Sequence, residues 1–218
     1  RETRPAGESR CCDRERDPIP TVGPARDDGQ ARLTLDLYLV RHGETEWSAN
    51  GRHTGSTDLP LTAEGEREAQ DLRRRLAGLG FDTVYSSPLQ RSRRTAELAG
   101  YPNPEITPLL KEVDYGDYEG LTTQTIRESN PGWELFSDGC PGGETPAQIY
   151  ARAQEFIALA ASSGPRVLAF AHGHILRAVG VAWLGVDVTF GAALLLDVAT
   201  LSMLRDADRR SIAMWNAP

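Results

Sequence analysis

Two short apolar runs in the chain each end at a histidine followed by glycine. The first run, Leu33 to Val40, leads into Arg41-His42-Gly43, and the second, Arg166 to Ala171, leads into His172-Gly173-His174. Runs of this length, rich in apolar residues, are typical of strands buried within a parallel sheet. Because ligands of open α/β sheets bind at the carboxyl ends of the strands, we expect the two histidine motifs to meet at one site.

The segments between these runs alternate between helix and strand. A further strand is predicted at Thr83 to Ser86, and helices are predicted from Thr62 to Gly80, Pro88 to Leu98, Thr122 to Ser129 and Thr145 to Ala161. Another helix should open at the second histidine motif. This alternation predicts an α/β fold, a three-layer α/β/α sandwich built on a mainly parallel sheet.

The two ends of the chain differ in composition. Residues 1–31 mix charged residues, Pro and Gly with almost no large apolar side chains, which predicts a disordered N-terminal tail. Residues 32–218 are then expected to form a single domain. Within it, residues 101–143 are rich in Pro, Gly and Asp, and we interpret them as an insertion on the substrate side of the site.

The charge balance limits the partners of the chain. It has 31 acidic residues against 24 Lys and Arg, so it offers no broad cationic surface and nucleic acid is not an expected partner. No apolar stretch reaches the roughly 18 residues of a membrane span, and the N-terminus lacks the apolar core of a signal peptide. Three cysteines without zinc-ligand spacing fit a reducing compartment. We therefore expect a cytoplasmic protein without a membrane partner, and we leave a homodimer open.

The histidine motifs resemble those of a known family. The run from Leu39 to Trp47, LVRHGETEW, together with later blocks, resembles the histidine phosphatase superfamily, whose fold is phosphoglycerate mutase-like. The later blocks, in order, are GRHTG at 51–55, SSPLQR at 86–91, EVDYGDYEG at 112–120 and AHGH at 171–174. The resemblance is closest to the branch that contains acid phosphatases and sedoheptulose-1,7-bisphosphatases.

This resemblance implies a role for five residues. His42 is the nucleophile that forms a phosphohistidine, and Arg41, Arg91 and His172 surround the phosphate. Glu112 matches the proton donor to the leaving alcohol. Phosphoryl transfer depends mainly on positioning and charge stabilisation, and two guanidinium groups with a protonated His172 would supply that charge. The resemblance therefore implies no metal and no cofactor.

The resemblance also suggests residues that bind the phosphate or the substrate. They are Ser48, Thr54, Gly55, Tyr115, Gly173 and His174. The family often has Asn where this chain has Ser48, whose hydroxyl offers a different donor geometry. His174 replaces an Asn that is typical of mutases. Gly173 is expected to act through its backbone N–H.

Several alternatives remain open at this point. Asp114, Asp117 and Glu119 compete with Glu112 as proton donor. His172 and His174 are also potential metal ligands, although no third His or paired Cys completes a set. We interpret His53 as a loop side chain without a catalytic role.

The favoured function is a metal-independent phosphatase for small phosphomonoesters, in particular sugar phosphates. Mutases of the family carry an adjacent Arg pair that grips the substrate carboxylate, whereas residues 121–140 contain only Arg127. Mutase-type phosphotransfer is one alternative. A catalytically weak regulatory module that binds phosphorylated ligands is the other.

Overall fold

A computed structural model describes residues 34–218, so the tail predicted for residues 1–31 lies outside the described residues. The strands are β1 (Leu35–Arg41), β2 (Thr83–Ser86), β3 (Glu105–Ile106), β4 (Arg166–Ala171), β5 (Leu201–Asp206) and β6 (Arg210–Ala217). The helices are α1 (Glu46–Ala49), α2 (Ala63–Leu76), α3 (Gln90–Leu98), α4 (Thr123–Ser129), α5 (Leu135–Asp138), α6 (Pro146–Ala161) and α7 (Gly173–Leu184). Residues 108–110, 116–118 and 188–193 form short 3₁₀ turns.

The strands form one mixed sheet in the order β3-β2-β4-β1-β5-β6. The first four of these are parallel to one another, while β5 pairs antiparallel with both β1 and β6. The two antiparallel strands at the C-terminal end of the chain extend the predicted, mainly parallel sheet. The central pair, β1 and β4, carries the two histidine motifs.

Apolar side chains cover both faces of the sheet. On β4, Val167, Ala169 and Ala171 contribute to a core with α6 and α7, while Leu168 and Phe170 face a second core with α2 and α3. Alternate residues of a strand point to opposite faces, so a strand buried on both sides is apolar throughout. The expected three-layer α/β/α arrangement is confirmed.

Local sequence signals explain where most helices begin. The side chain of Thr62 accepts a hydrogen bond from Gly65 N at the start of α2. Thr145 and Gln148 form a reciprocal capping box at the start of α6, and Pro146 occupies its first turn. Such caps satisfy N–H groups that have no partner within the helix.

Two predicted helix boundaries were wrong. Helix α2 ends at Leu76 rather than Gly80, because Ala77 is extended and Gly78 takes a φ of +79°. Helix α3 begins at Gln90 rather than Pro88. The hydroxyl of Ser87 accepts from Leu89 N in a local turn, which holds Leu89 extended before the helix starts.

The predicted insertion at 101–143 contains the expected short helix, α4, and in addition β3, α5 and two 3₁₀ turns. Its residues Tyr115 and Phe136 are buried in the same core as α6 and α7. Trp133 anchors its distal part by donating from Nε1 to the Gly139 carbonyl over 2.8 Å. The segment is therefore built into the domain, and it supplies one side of the site described next.

Candidate active site

The two histidine motifs meet at the carboxyl ends of β1 and β4. Arg41 is paired with Ala171 in the parallel ladder, and His42 N donates to the Ala171 carbonyl over 2.9 Å. The ring centroids of His42 and His172 lie 5.0 Å apart. The expectation that both motifs reach one site is confirmed.

The imidazole of His42 is held in one tautomer. Its Nδ1 lies 2.7 Å from the carbonyl oxygen of Gly43, and because a carbonyl only accepts, Nδ1 carries the hydrogen. Nε2 has no hydrogen-bond partner among residues 34–218. Burial lowers the pKa of His42 well below its ordinary 6.5, with Arg91 and Arg41 adding to that effect. The ring is therefore neutral at physiological pH, with its lone pair on Nε2.

Arg91 is fully buried and organises the loop beside the two histidines. Its Nη1 donates to the Thr57 carbonyl over 2.8 Å, and its Nη2 donates to the carbonyls of Thr54 and Gly55 over 2.9 and 3.0 Å. Burial lowers its pKa, and the charge of Glu112 opposes that shift. The side chain therefore fixes the 54–57 loop and places a positive charge close behind His42.

His172 differs from expectation. Its Nδ1 accepts from Arg91 Nε at 3.1 Å, so its hydrogen is on Nε2, which donates to Ser87 Oγ at 2.8 Å. Burial, followed by the charges of Arg91 and His42, lowers the pKa of His172 well below 6.5. The ring is thus neutral in this structure, and the expected protonated form would direct an N–H against the Arg91 guanidinium.

Arg41 retains hydrogen-bonding capacity in the site. Its Nη1 donates to the Leu196 carbonyl over 2.5 Å, whereas its buried Nε has no partner within residues 34–218. A Cβ on Gly173 would lie 3.4 Å from Arg41 Cζ and Nε, an ordinary contact distance, so the guanidinium lies against the start of α7. An unpartnered buried donor is costly unless a ligand bonds it.

Glu112 caps the helix that follows the second motif. Its Oε2 accepts from His174 N at 3.1 Å, and its Oε1 accepts from the N–H groups of Ile175 and Val113, both at 3.0 Å. His172 stands at the N-cap position but makes no side-chain cap bond. The Glu112 carboxylate therefore does the work that a capping side chain normally does.

The residues suggested as phosphate or substrate contacts separate into two groups. Gly173 lines the site, and its N–H has no partner in the described part of the chain. Ser48 and Thr54 also line it, but the Ser48 hydroxyl exchanges hydrogen bonds with the backbone of Thr45. Gly55 does not line the site. Its N–H donates to the Glu119 carboxylate at 3.0 Å.

A cluster of aromatic rings lines part of the site. Tyr115 and His174 share a hydrogen bond of 2.6 Å, and the His53 ring lies 4.8 Å from that of Tyr115 and 5.7 Å from that of His174. Burial lowers the pKa of His53 to about 4 and lowers that of His174 well below 6.5. It also raises the pKa of Tyr115 well above 10. These groups are therefore neutral near pH 7.

Together these residues enclose a cavity of about 90 Å³. Its lining residues are Arg41, His42, Ser48, Arg52, His53, Thr54, Glu112, Tyr115, Gly173, His174, Arg177 and Leu196. Arg91 and His172 are not among them and lie fully buried. Of the competing carboxylates, Asp114, Asp117 and Glu119 do not line the cavity, whereas Glu112 does.

Sequence reasoning missed three cationic or aromatic lining residues. Arg177 follows Gly173 by four positions on α7, and that helical spacing places both on one face, which is the signal that could have identified it. His53 and Arg52 also line the cavity, and both lie in the GRHTG block at 51–55, which indicates no role for either. Within residues 34–218, no group of three or more His, Cys, Asp or Glu is arranged to hold a metal ion. None of the helices in this range has the length and apolar character needed to cross a bilayer.

Comparison with known proteins shows the family to which the chain belongs. The model of the histidine phosphatase superfamily (branch 1) matches residues 37–218. An acid phosphatase of Mycobacterium tuberculosis is 44% identical over 171 residues, covering 77% of this chain and 84% of that protein. The sedoheptulose 1,7-bisphosphatase of Saccharomyces cerevisiae is 34% identical over 189 residues, covering 72% of this chain and 70% of that protein.

A solved structure of an open reading frame from Mycobacterium tuberculosis gives a TM-score of 0.80 at 41% identity, covering 84% of this chain and 97% of that one. The fold, with a histidine pair at the ends of two neighbouring parallel strands and Arg91 buried beside it, agrees with that family. The chain belongs to the histidine phosphatase superfamily, and its class is that of the phosphoric monoester hydrolases.

Proposed function

We propose that the chain hydrolyses small phosphomonoesters, sugar phosphates in particular, through a phosphohistidine formed on His42. The observation that carries this proposal is the state of the His42 ring. Its Nδ1 hydrogen is bonded to the Gly43 carbonyl, and its Nε2 has no partner in the described part of the chain, on a side chain that lines the cavity. A nucleophile needs a fixed ring and a free lone pair, and His42 offers both.

The surrounding groups fit the charge of a phosphoryl group. Within residues 34–218, neither Arg41 Nε nor the N–H of Gly173 at the start of α7 has a hydrogen-bond partner. The positive end of the helix dipole adds to this field. Arg91 contributes its charge from behind His42 and keeps the 54–57 loop in place. Phosphoryl transfer needs such positioning and charge stabilisation, so these groups support a reaction without a metal ion.

Two steps complete the reaction. In the first, His42 Nε2 attacks phosphorus, the P–O bond to the alcohol breaks, and Glu112 gives its proton to the leaving oxygen. In the second, Glu112 takes a proton from water as that water attacks the phosphohistidine, which releases inorganic phosphate and frees His42. Glu112 is the one acidic residue among those lining the cavity, which supports this assignment.

The structure of the 121–140 segment favours hydrolysis over mutase-type transfer. Its one arginine, Arg127, donates from Nε to the Trp133 carbonyl over 2.9 Å and does not line the cavity. It is thus committed to local structure rather than to a substrate carboxylate. The catalytically weak regulatory alternative loses support because His42 and Glu112 line one cavity, and Arg91 is buried close enough to His42 to lower its pKa.

The proposal is tested with a panel of phosphomonoesters assayed for inorganic phosphate in the presence of EDTA. We expect phosphate release that resists the chelator, and a fall of about 10³-fold or more in His42→Ala. An acid-labile, base-stable phosphoenzyme should form in the wild type. His53→Asn is the matched control, because it removes another cavity-lining histidine yet should still form the phosphoenzyme.

Three results would contradict the proposal. Activity abolished by EDTA would remove the metal-free mechanism, and full activity in His42→Ala would remove the nucleophile assignment. Isomerised phosphoglycerate without free phosphate would show that mutase-type transfer prevails over hydrolysis.

A further inference from the structure

The backbone of the first histidine motif is held at three consecutive N–H groups. His42 N donates to a carbonyl of β4 over 2.9 Å, and Gly43 N donates to Thr95 Oγ1, on α3, over 3.1 Å. Glu44 N donates to Oε2 of Glu68, on α2, over 2.9 Å. Of these three acceptors, the Glu68 carboxylate is the one that carries a charge.

The peptide group that joins Gly43 to Glu44 has a partner at each end. Its carbonyl, that of Gly43, accepts from His42 Nδ1 at 2.7 Å, and its N–H, that of Glu44, donates to Glu68. Because a peptide group is conjugated, a negative charge at its N–H raises the electron density on its carbonyl oxygen. The carboxylate, the peptide group and the imidazole thus form one hydrogen-bond network, whose bonds polarise and strengthen one another.

The Glu68 carboxylate contacts this peptide group and no other polar partner within residues 34–218. Glu44 N is its one hydrogen-bond donor in that range, and no cation there forms an ion pair with it. Its neighbour Glu66, by contrast, accepts from Arg94 Nε at 2.9 Å. Burial raises the pKa of Glu68, and the hydrogen bond from Glu44 N opposes that shift. The backbone of the nucleophile motif therefore stabilises the charge of Glu68.

We propose that Glu68 is a positioning residue for the nucleophile, acting on His42 through the peptide group that joins Gly43 to Glu44. Its charge strengthens the hydrogen bond at His42 Nδ1 and makes Nε2 more electron-rich. When Nε2 bonds to phosphorus, the ring keeps its Nδ1 hydrogen and gains positive charge, which the network stabilises. No proton passes along the network. This inference rests on the proposed function and deepens it.

The charge of Glu68 should affect the two half-reactions in opposite directions. A more electron-rich Nε2 attacks phosphorus faster, but it is also a poorer leaving group when water attacks the phosphohistidine. Loss of the charge should therefore slow formation of the phosphoenzyme without slowing its hydrolysis. A residue that only supports the fold would change both rates in the same direction.

Glu68→Gln tests the charge separately from the hydrogen bond, because the amide oxygen of Gln still accepts from Glu44 N. Rapid-quench measurements with p-nitrophenyl phosphate give the rate of phosphoenzyme formation. We expect that rate to fall by about 3- to 10-fold, because a charged acceptor bonds roughly twice as strongly as a neutral one. The substrate concentration that gives half the maximal rate should stay the same. The preformed phosphoenzyme of the variant should release phosphate at least as fast as that of the wild type.

Glu66→Gln is the matched control. It removes the same charge from the same helix, but Glu66 bonds Arg94 rather than the nucleophile motif, so both rates should match those of the wild type. A second measurement needs no turnover. The proton resonance of His42 Nδ1 in the phosphate-free protein should move upfield in Glu68→Gln, because its hydrogen bond weakens, and should keep its position in Glu66→Gln.

Two results would overturn the inference. One is a Glu68→Gln protein whose two rates and Nδ1 resonance match those of Glu66→Gln. The other is a Glu68→Gln protein in which formation and hydrolysis slow by the same factor, which would assign Glu68 a role in the fold alone. Failure of the proposed function is distinct, because the wild type would then form no phosphoenzyme, while the Nδ1 resonance would still report whether Glu68 acts on the His42 ring.

Discussion

Arg91 donates its Nε hydrogen to His172 Nδ1 across 3.1 Å. This bond determines which ring nitrogen of His172 carries the hydrogen. The sequence instead predicts a protonated, cationic His172. Because Arg91 occupies Nδ1, His172 is a neutral Nε2–H donor, and the positive charge behind His42 comes from the arginine. Nitrogen chemical shifts at pH 7 should therefore report a neutral Nε2–H tautomer for His172 in the phosphate-free protein.

Replacing Arg91 by Lys should damage both stability and activity. A lysine keeps one charge but lacks the planar fork that bonds the carbonyls of Thr54, Gly55 and Thr57. Unpaired buried acceptors cost about 1–3 kcal/mol each, so we expect a loss of about 2–4 kcal/mol in the free energy of unfolding. Urea denaturation measures it. Arg93→Lys, an exposed change on the same helix, should shift stability by less than about 0.5 kcal/mol, and equal losses in both variants would contradict this account.

Glu112→Gln should slow the enzyme in a way that depends on the leaving group. We expect a loss of about 10²- to 10⁴-fold for glycerol 3-phosphate, whose alkoxide needs a proton, and a much smaller loss for p-nitrophenyl phosphate. Steady-state kinetics on both substrates measures the difference. Glu119→Gln is the control carboxylate. It should affect both substrates alike, because Glu119 bonds the N–H groups of Gly55 and Thr57 rather than the substrate.

Stability should decline on acidification in part because of His53. The pKa of His53 is about 4 in the folded protein and 6.5 ordinarily. Between these two pH values, His53 is therefore protonated in the unfolded chain and neutral in the folded chain. The contribution of His53 to the free energy of unfolding is fully present above about pH 6.5. It is lost as the pH falls toward 4, with a slope of up to about 1.4 kcal/mol per pH unit. Urea titrations of wild type and His53→Asn should show that the variant loses less stability per pH unit. Identical slopes would show that His53 titrates normally.

Gly43→Ala should disturb the nucleophile through the backbone. A Cβ at Gly43 would lie 2.3 Å from the Gly65 carbonyl oxygen, so β1 and α2 must separate. We expect a cost of about 2–3 kcal/mol in unfolding free energy together with a marked loss of activity, because His42 precedes the displaced residue. Gly80→Ala is the control, since nothing lies within 4 Å of a Cβ there and its φ is ordinary. A Gly43→Ala protein as stable and active as Gly80→Ala would contradict the close approach.

The sequence predicted the parts of this molecule that depend on local pattern. The strands at Thr83–Ser86 and Arg166–Ala171 have the predicted bounds, because apolar runs bounded by polar residues are a strong signal. The meeting of His42 and His172 followed from the shared edge of parallel strands. These predictions required only the spacing of apolar residues along the chain and the rule that ligands of open α/β sheets bind at the carboxyl ends of the strands.

The remaining parts depend on contacts between distant segments. His53, Tyr115, Phe136 and His174 come from four segments and form one aromatic cluster, which no local pattern encodes. The neutral state of His172 likewise depends on Arg91, 81 positions away in sequence. The sequence therefore predicted the residues proposed to attack and surround the phosphate better than it predicted the aromatic residues proposed to lie near the leaving group.

The position of Glu112 has a consequence for any attempt to alter this enzyme. Its carboxylate holds the first turn of α7 through His174 N and Ile175 N, and α7 also carries Gly173 and Arg177. The group proposed to pass the proton is therefore also a structural brace for the start of α7, where Gly173 lies. A substitution at Glu112 is therefore expected to change proton transfer and the position of α7 together, so neither property can be altered alone at this residue.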